Sequence, residues 1–179
     1  MPRVAVTAIG PDRPGIIAAV SGVLMDHGGN LEDTAMTNLG GHFAMMLMVD
    51  VPGDEGAEAL EDALAAEVTR LGLTVAVRPV VGDAGVVDAG GSAWALSLHG
   101  ADRPGIVHRV TALLADHGAN IVDLSTRLVG EAGDQAYVLL LELHLPDGAD
   151  VDRLRLELSS LAADLGVEAH LRDDDADVL

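Results

Sequence analysis

Apolar residues along this chain switch between a two-residue and a helical period, and the switches mark out its elements. Arg3–Ile9 carries the two-residue pattern of a half-buried strand. Ile16, Ile17, Val20, Val23 and Leu24 then recur at helical spacing and predict a helix with one buried face. Pro14 suits its first turn, with Asp12 or Arg13 near the cap, and His27-Gly28-Gly29 closes it. Asn30–Asn38 reads as a second strand, Gly40-Gly41 as a tight turn and His42–Val51 as a third strand. After Pro52-Gly53, a second helix carries Leu60, Leu64, Val68 and Leu71 on one stripe. Gly72 stops it, and Leu73–Arg78 is a fourth strand. The order is βαββαβ.

The same order returns in the second half. A strand at Ala93–His99 precedes a helix with Ile106, Val107, Val110, Leu113 and Leu114. Strands follow near Asn120–Val129 and Gln135–Leu145, joined by the longer loop Gly130–Asp134. A helix with Val151, Leu154, Leu158, Leu161 and Leu165 leads into a last strand, Val167–Arg172. Residues 10–33 match 100–123 without a gap: Gly-Pro-Asp-Arg-Pro-Gly-Ile-Ile against Gly-Ala-Asp-Arg-Pro-Gly-Ile-Val, then Asp-His-Gly-Gly-Asn-Leu-Glu-Asp against Asp-His-Gly-Ala-Asn-Ile-Val-Asp. Such a match is a duplication, and the repeat is a small domain rather than a solenoid unit. We expect one domain over 1–81, a linker over the glycine-rich 82–92, a second domain over 93–173 and an acidic tail over 174–179.

Right-handed crossovers turn this order into an α+β fold: two ferredoxin-like domains, each an antiparallel four-stranded sheet with both helices on one face. The third strand, Phe43-Ala-Met-Met-Leu-Met-Val49, is apolar on both sides. Its side away from the helices is therefore expected to be covered by the other domain or by another chain, so the protein is expected to form a homo-oligomer.

Composition narrows the function. At 49% apolar the chain can build cores over most of its length. Its formal charge is −19 and all ten basic residues are arginine, which argues against direct nucleic-acid binding. An RNA-reading sheet would also want more aromatics than Phe43, Trp94 and Tyr137. With no cysteine there is no disulfide, thiolate metal site or cysteine nucleophile. No apolar run is long enough for a membrane span, and the chain opens on a strand pattern instead of a signal peptide, so no membrane and a cytoplasmic location are expected. The seven histidines include no pair at tight ligand spacing on a shared face, His27 and His117 read as helix-end residues, and no metal or cofactor is expected. Neither a P-loop nor Gly-x-Ser-x-Gly is present. Arg13 and Arg103 are candidates for the phosphate cradle of an acylphosphatase-like enzyme, but the glycine-rich cradle is missing, so the protein is expected not to be an enzyme.

The candidate chemistry lies in the two repeated turns. Gly-x-Asp-Arg-Pro-Gly joins the first strand to the first helix, where backbone N–H groups and the positive helix end suit a carboxylate. His-Gly-x-Asn opens the second strand, and Asn offers both a donor and an acceptor. Backbone amides, Asp12 or Asp102, and Asn30 or Asn120 together would match a free α-amino acid. Read without a ligand, the same residues are ordinary helix starts, caps and turns.

Asp-Arg-Pro-Gly-[Ile/Val] after a strand and His-Gly-x-Asn-[Leu/Ile] before the next resemble the ACT domain family of amino-acid-sensing modules. The resemblance covers both copies. Two such modules without an attached enzyme resemble the glycine cleavage system transcriptional repressor family. It implies a non-enzymatic regulatory protein that binds a small amino acid, of glycine or serine type, at interfaces between modules. It also implies a protein partner, either a transcription activator or a metabolic enzyme. The ligand-binding positions it implies are Gly10, Asp12, Gly15, Asn30 and Leu31, with Gly100, Asp102, Gly105, Asn120 and Ile121. Serine-binding members often have His where this chain has Gly10 and Gly100, and Asn where it has Asp12 and Asp102. The alternative is an ACT interaction module that dimerises without ligand.

Overall fold

The two-residue alternation of the first strand puts Val4, Val6 and Ala8 on one side, and all three are buried. In the computed structural model, which describes residues 2–53, 56–80, 91–130 and 135–174, apart from the side chains at 56, 68 and 69, the chain forms two units, Met1–Ala84 and Gly85–Leu179. The first contains β1 (Arg3–Pro11), α1 (Ile16–Asp26), β2 (Asn30–Leu39), β3 (His42–Asp50), α2 (Gly56–Leu71) and β4 (Thr74–Pro79). The second repeats it with β5 (Gly91–Gly100), α3 (Ile106–Asp116), β6 (Asn120–Val129), β7 (Ala136–Pro146), α4 (Val151–Leu165) and β8 (Val167–Asp173). The expected βαββαβ order holds in both. Most of the expected linker, the 131–134 part of the long hairpin loop and nearly all of the acidic tail lie outside the described residues; Gly91 and Ser92 open β5.

Each sheet is antiparallel, in the orders β2-β3-β1-β4 and β6-β7-β5-β8. The predicted central place of the third strand is correct, and the first strand shares it. One face of each sheet is closed by its helices. Ile16, Val20 and Leu24 of α1 and Leu60, Leu64 and Leu71 of α2 pack on Val6, Phe43, Leu47 and Val49. Ile106, Val110 and Leu114 of α3 and Leu154, Leu158 and Leu165 of α4 pack on Leu96, Leu98, Leu139, Leu141 and Leu143. Ile17, which the helical stripe was expected to include, is instead half exposed. It sits one residue, about 100° of helix turn, from Ile16, and falls off the buried face. Val68, expected on the α2 stripe, is among the side chains not described.

The other sheet face is less covered. Of the alternate β3 side chains, Ala44 and Met48 are half-buried while Met46 is 52% exposed. In β2 all ten residues are exposed on both faces, because this edge strand lies outside the shelter of the helices. Among the described residues, no helix is long and apolar enough to cross a membrane.

Side-chain bonds of charged and polar groups tie strand or helix ends together. Arg3 Nε donates to Asp50 Oδ1 at 2.9 Å across β1 and β3, and this bond holds the Asp50 carboxyl below its ordinary pKa. In the second unit His117, ending α3, lies 2.9 Å from Glu157 on α4, and Arg153 Nε donates to the same carboxylate at 2.7 Å. These two bonds, His117 first, lower the Glu157 pKa.

Leu64→Ala and Leu114→Ala each remove a side chain with no measurable exposure, and each is expected to destabilise its own domain by about 2–5 kcal/mol in denaturant titrations. A depressed carboxylate pKa contributes stability above the unfolded-state value, and that contribution is lost as pH falls through the folded one. Glu157→Gln should therefore lower the Tm at neutral pH, with the gap to wild type closing in acid below the ordinary carboxylate range. A gap independent of pH would show that the ion pair contributes nothing.

Candidate functional site

The turn between β1 and α1 is shaped by two glycines. Gly10 pairs with Phe43 at the end of β1, and a Cβ there would come within 2.8 Å of the Gly72 carbonyl oxygen and 2.7 Å of the Leu73 side chain. Gly100 meets the Val167 Cα at 2.8 Å in the same way. The chain entering the last strand of each unit passes so close that a side chain at either position would force it away. Gly10 and Gly100 thus have a packing reason.

Gly15 and Gly105 have φ of 93° and 91°, left-handed values that a β-carbon disfavours. That bend makes Gly15 the N-cap of α1 and leaves Pro14 in the turn before it, in place of the expected first helical turn. Neither Asp12 nor Arg13 caps the helix: no side chain does so at α1 or at α3. The first backbone bonds are Ala19 N to Gly15 O at 2.9 Å and Arg109 N to Gly105 O at 3.0 Å. By contrast α4 is capped, with Arg153 N donating to Asp150 Oδ1 at 3.0 Å. The N–H groups opening α1 and α3 consequently form a positive surface end without a side-chain acceptor, suited to an anionic group.

The expected site residues fall into two groups. Gly10, Asp12 and Gly15 gather at one end of the first unit's sheet. Asn30 and Leu31 open β2 opposite Asp50 and Val49, and Asp50 also faces Arg3. From the Arg3 level to Gly10 is seven strand steps, about 24 Å. Asp12 and Asn30 therefore stand at opposite ends of one unit and do not meet there. The second unit is built alike: Asn120 and Ala93 both face His144, whereas Gly100 faces Tyr137, with Asp102 and Gly105 beyond it and Ile121 beside Asn120.

What stands beside each aspartate differs between the units. Asn38 Nδ2 donates to Asp12 Oδ2 at 2.5 Å, and Asp12 N donates to Gly41 O at 2.9 Å, binding the turn to the β2–β3 hairpin. Asn38 was not singled out from sequence; only the sheet register places it level with Gly10. Its second-copy counterpart is Leu128. There the turn instead borders a depression of about 460 Å³, lined by Arg103, Gly105, Ile106, Val107, His108 and Tyr137. Arg103 lies against Gly166, where a Cβ would be 3.1 Å from its guanidinium. At the far end, Asn30 donates its amide to Glu32.

Two histidines meet across the second sheet. His99 and His170, far apart in sequence, stack with centroids 5.7 Å apart, and Glu168 lies 3.0 Å from His99. Strand pairing creates this group, so spacing along the chain gives no sign of it.

Comparison with known proteins agrees with this architecture. Residues 3–78 and 94–155 each match the ACT domain family. A UPF0237 protein of Methanopyrus kandleri is 42% identical over 79 residues, which cover 44% of this chain and 88% of that protein. The glycine cleavage system transcriptional repressor of Escherichia coli is 27% identical over 93% of this chain and 87% of its own length. The crystal structure of a protein of unknown role from Galdieria sulphuraria superimposes with a TM-score of 0.82 at 28% identity, over 96% of this chain and 98% of that one. The chain belongs to the ACT domain family, carrying two ACT domains in tandem, and is similar to the glycine cleavage system transcriptional repressors.

Proposed function

We propose that this protein is a cytoplasmic, non-enzymatic amino-acid sensor that binds a small amino acid of glycine or serine type and acts through a protein partner, in transcriptional control of amino-acid metabolism. The observation that carries the reading is the pair of uncapped helix starts at the repeated Asp-Arg-Pro-Gly turns. They offer backbone donors for a carboxylate beside Asp12 or Asp102, which can accept from an ammonium group. The carboxylate lies on the amides near Arg13–Gly15 or Arg103–Gly105, away from the aspartate charge. Because Asp12 and Asn30 stand at opposite ends of a unit's sheet, a ligand touching both groups takes the aspartate turn from one ACT domain and the asparagine from another. The exposed apolar side chains of Leu31, Met36, Leu39 and Met46 support a homo-oligomer. The partner is an activator or a metabolic enzyme, and the −19 charge disfavours direct contact with DNA.

A second reading, an ACT interaction module without ligand, is favoured by two observations. Asp12 already has a partner in Asn38, and the fully exposed β2 edge carries Leu31, Met36 and Leu39.

Calorimetry against the twenty amino acids separates the two. Binding is expected for a small amino acid, with Asn30→Ala and Asn120→Ala each costing about 1–3 kcal/mol at their own site while the fold stays intact. Unchanged affinity in both variants would place the ligand elsewhere, and no binding by the wild type would favour the interaction module. In a gel-shift titration at moderate salt, the protein alone is expected to leave duplex DNA unshifted; a submicromolar, salt-sensitive complex would overturn the indirect mode of action.

A further inference from the structure

The second unit assembles a group of metal-ligand residues that the first unit lacks. In its antiparallel ladder β5 pairs with β8 so that His99 faces Glu168 and Ser97 faces His170. Glu168 and His170 are two residues apart and share a face. Leu96 and Leu98 are buried under the helices, so His99 projects from the opposite, open face. The ligating atoms of His99, Glu168 and His170 all lie within 4.8 Å of one another, and all three residues are exposed. Among the described residues this is the one group of three such donors.

We infer that His99, Glu168 and His170 form a binding site for a divalent transition-metal ion of the zinc, nickel or copper class. Two imidazole nitrogens and one carboxylate oxygen suit these ions, whereas magnesium and calcium prefer all-oxygen sets. Around zinc, tetrahedral ligand atoms stand about 3.3 Å apart. His99 Nε2 and Glu168 Oε2, at 3.0 Å, are already near that spacing. The stacked His99 and His170 rings need only side-chain rotation to turn both nitrogens on one point, and exposed side chains rotate without disturbing a core. The strand ladder fixes the three Cα positions beforehand, which reduces the ordering cost of capture. Three protein ligands leave a fourth position for water or for a donor from another molecule.

The duplication supplies an internal comparison. The first unit has the same register, with Ile9 facing Thr74 and Thr7 facing Ala76. Ile9, Thr74 and Ala76 therefore stand where the second unit has His99, Glu168 and His170, and they cannot hold a metal. Two cations share the open face: Arg172, two residues beyond His170 on β8, and Arg127, which faces Val138 in the His99 row. They oppose capture locally, while Glu168 and the net charge of −19 favour it.

The test is calorimetric titration of the tag-free full-length protein with zinc chloride in a non-coordinating buffer. One saturable site is expected, reversed by EDTA. His99→Ala and His170→Ala are each expected to weaken it at least tenfold, and His42→Ala, which changes an exposed histidine on β3 of the first unit, should match wild type. Imidazole NMR signals of His99 and His170 should shift together in wild type as zinc is added, a readout that needs no variant. Absence of saturable binding, or affinity unchanged in both His99→Ala and His170→Ala, would reduce the cluster to a surface ion pair and overturn the assignment.

Discussion

One constraint organises each domain: a four-stranded sheet must bury one face beneath two short helices. The central strands of the first sheet meet it with Val4, Val6 and Ala8 against Phe43, Met45, Leu47 and Val49, all buried. Each large apolar side chain so sequestered contributes about 1.5–3 kcal/mol. Two helices of 11 and 16 residues cover only the middle of the sheet, and the outer strand β2 is left bare on both faces. The candidate functional features follow from this shortage of cover. They are turns at the sheet ends, an edge strand with apolar residues in solvent, and an open face on the second sheet where His99 and His170 meet.

The turn before α1 shows how packing and chemistry share residues. Gly10 lets the chain entering β4 pass against it, and Gly15 bends backward into the helix. The helix then starts with no side chain in the capping position, a state that α4 avoids through Asp150. Unfilled helix starts are costly unless water or a ligand satisfies their N–H groups, and both copies retain one. The duplicated turns thus keep open helix ends whose N–H groups a cap would have taken up.

Duplication also freed the copies to diverge. Asp12 is held by Asn38, whereas Leu128 leaves Asp102 without that neighbour and Arg103 and Tyr137 border a depression instead. Ile9 and Ala76 stand where the second copy has His99 and His170. Such changes sit on exposed faces and loops, where replacing a side chain does not open a cavity in either core.

Local pattern alone determined the element order, the duplication and the buried stripes. Ile16, Val20 and Leu24 recur at helical spacing and Val4, Val6 and Ala8 at strand spacing, and burial of one face demands those periods. The resemblance of the two turns to ACT modules was legible as well, because Asp-Arg-Pro-Gly and His-Gly-x-Asn are contiguous. What remained to the tertiary structure is everything set by pairing between distant strands. Register placed Asn38 beside Asp12, set Asn30 at the far end of the sheet, and joined His99 to Glu168 and His170. A shift of one residue in that register would send each side chain to the other face, and no local propensity specifies it.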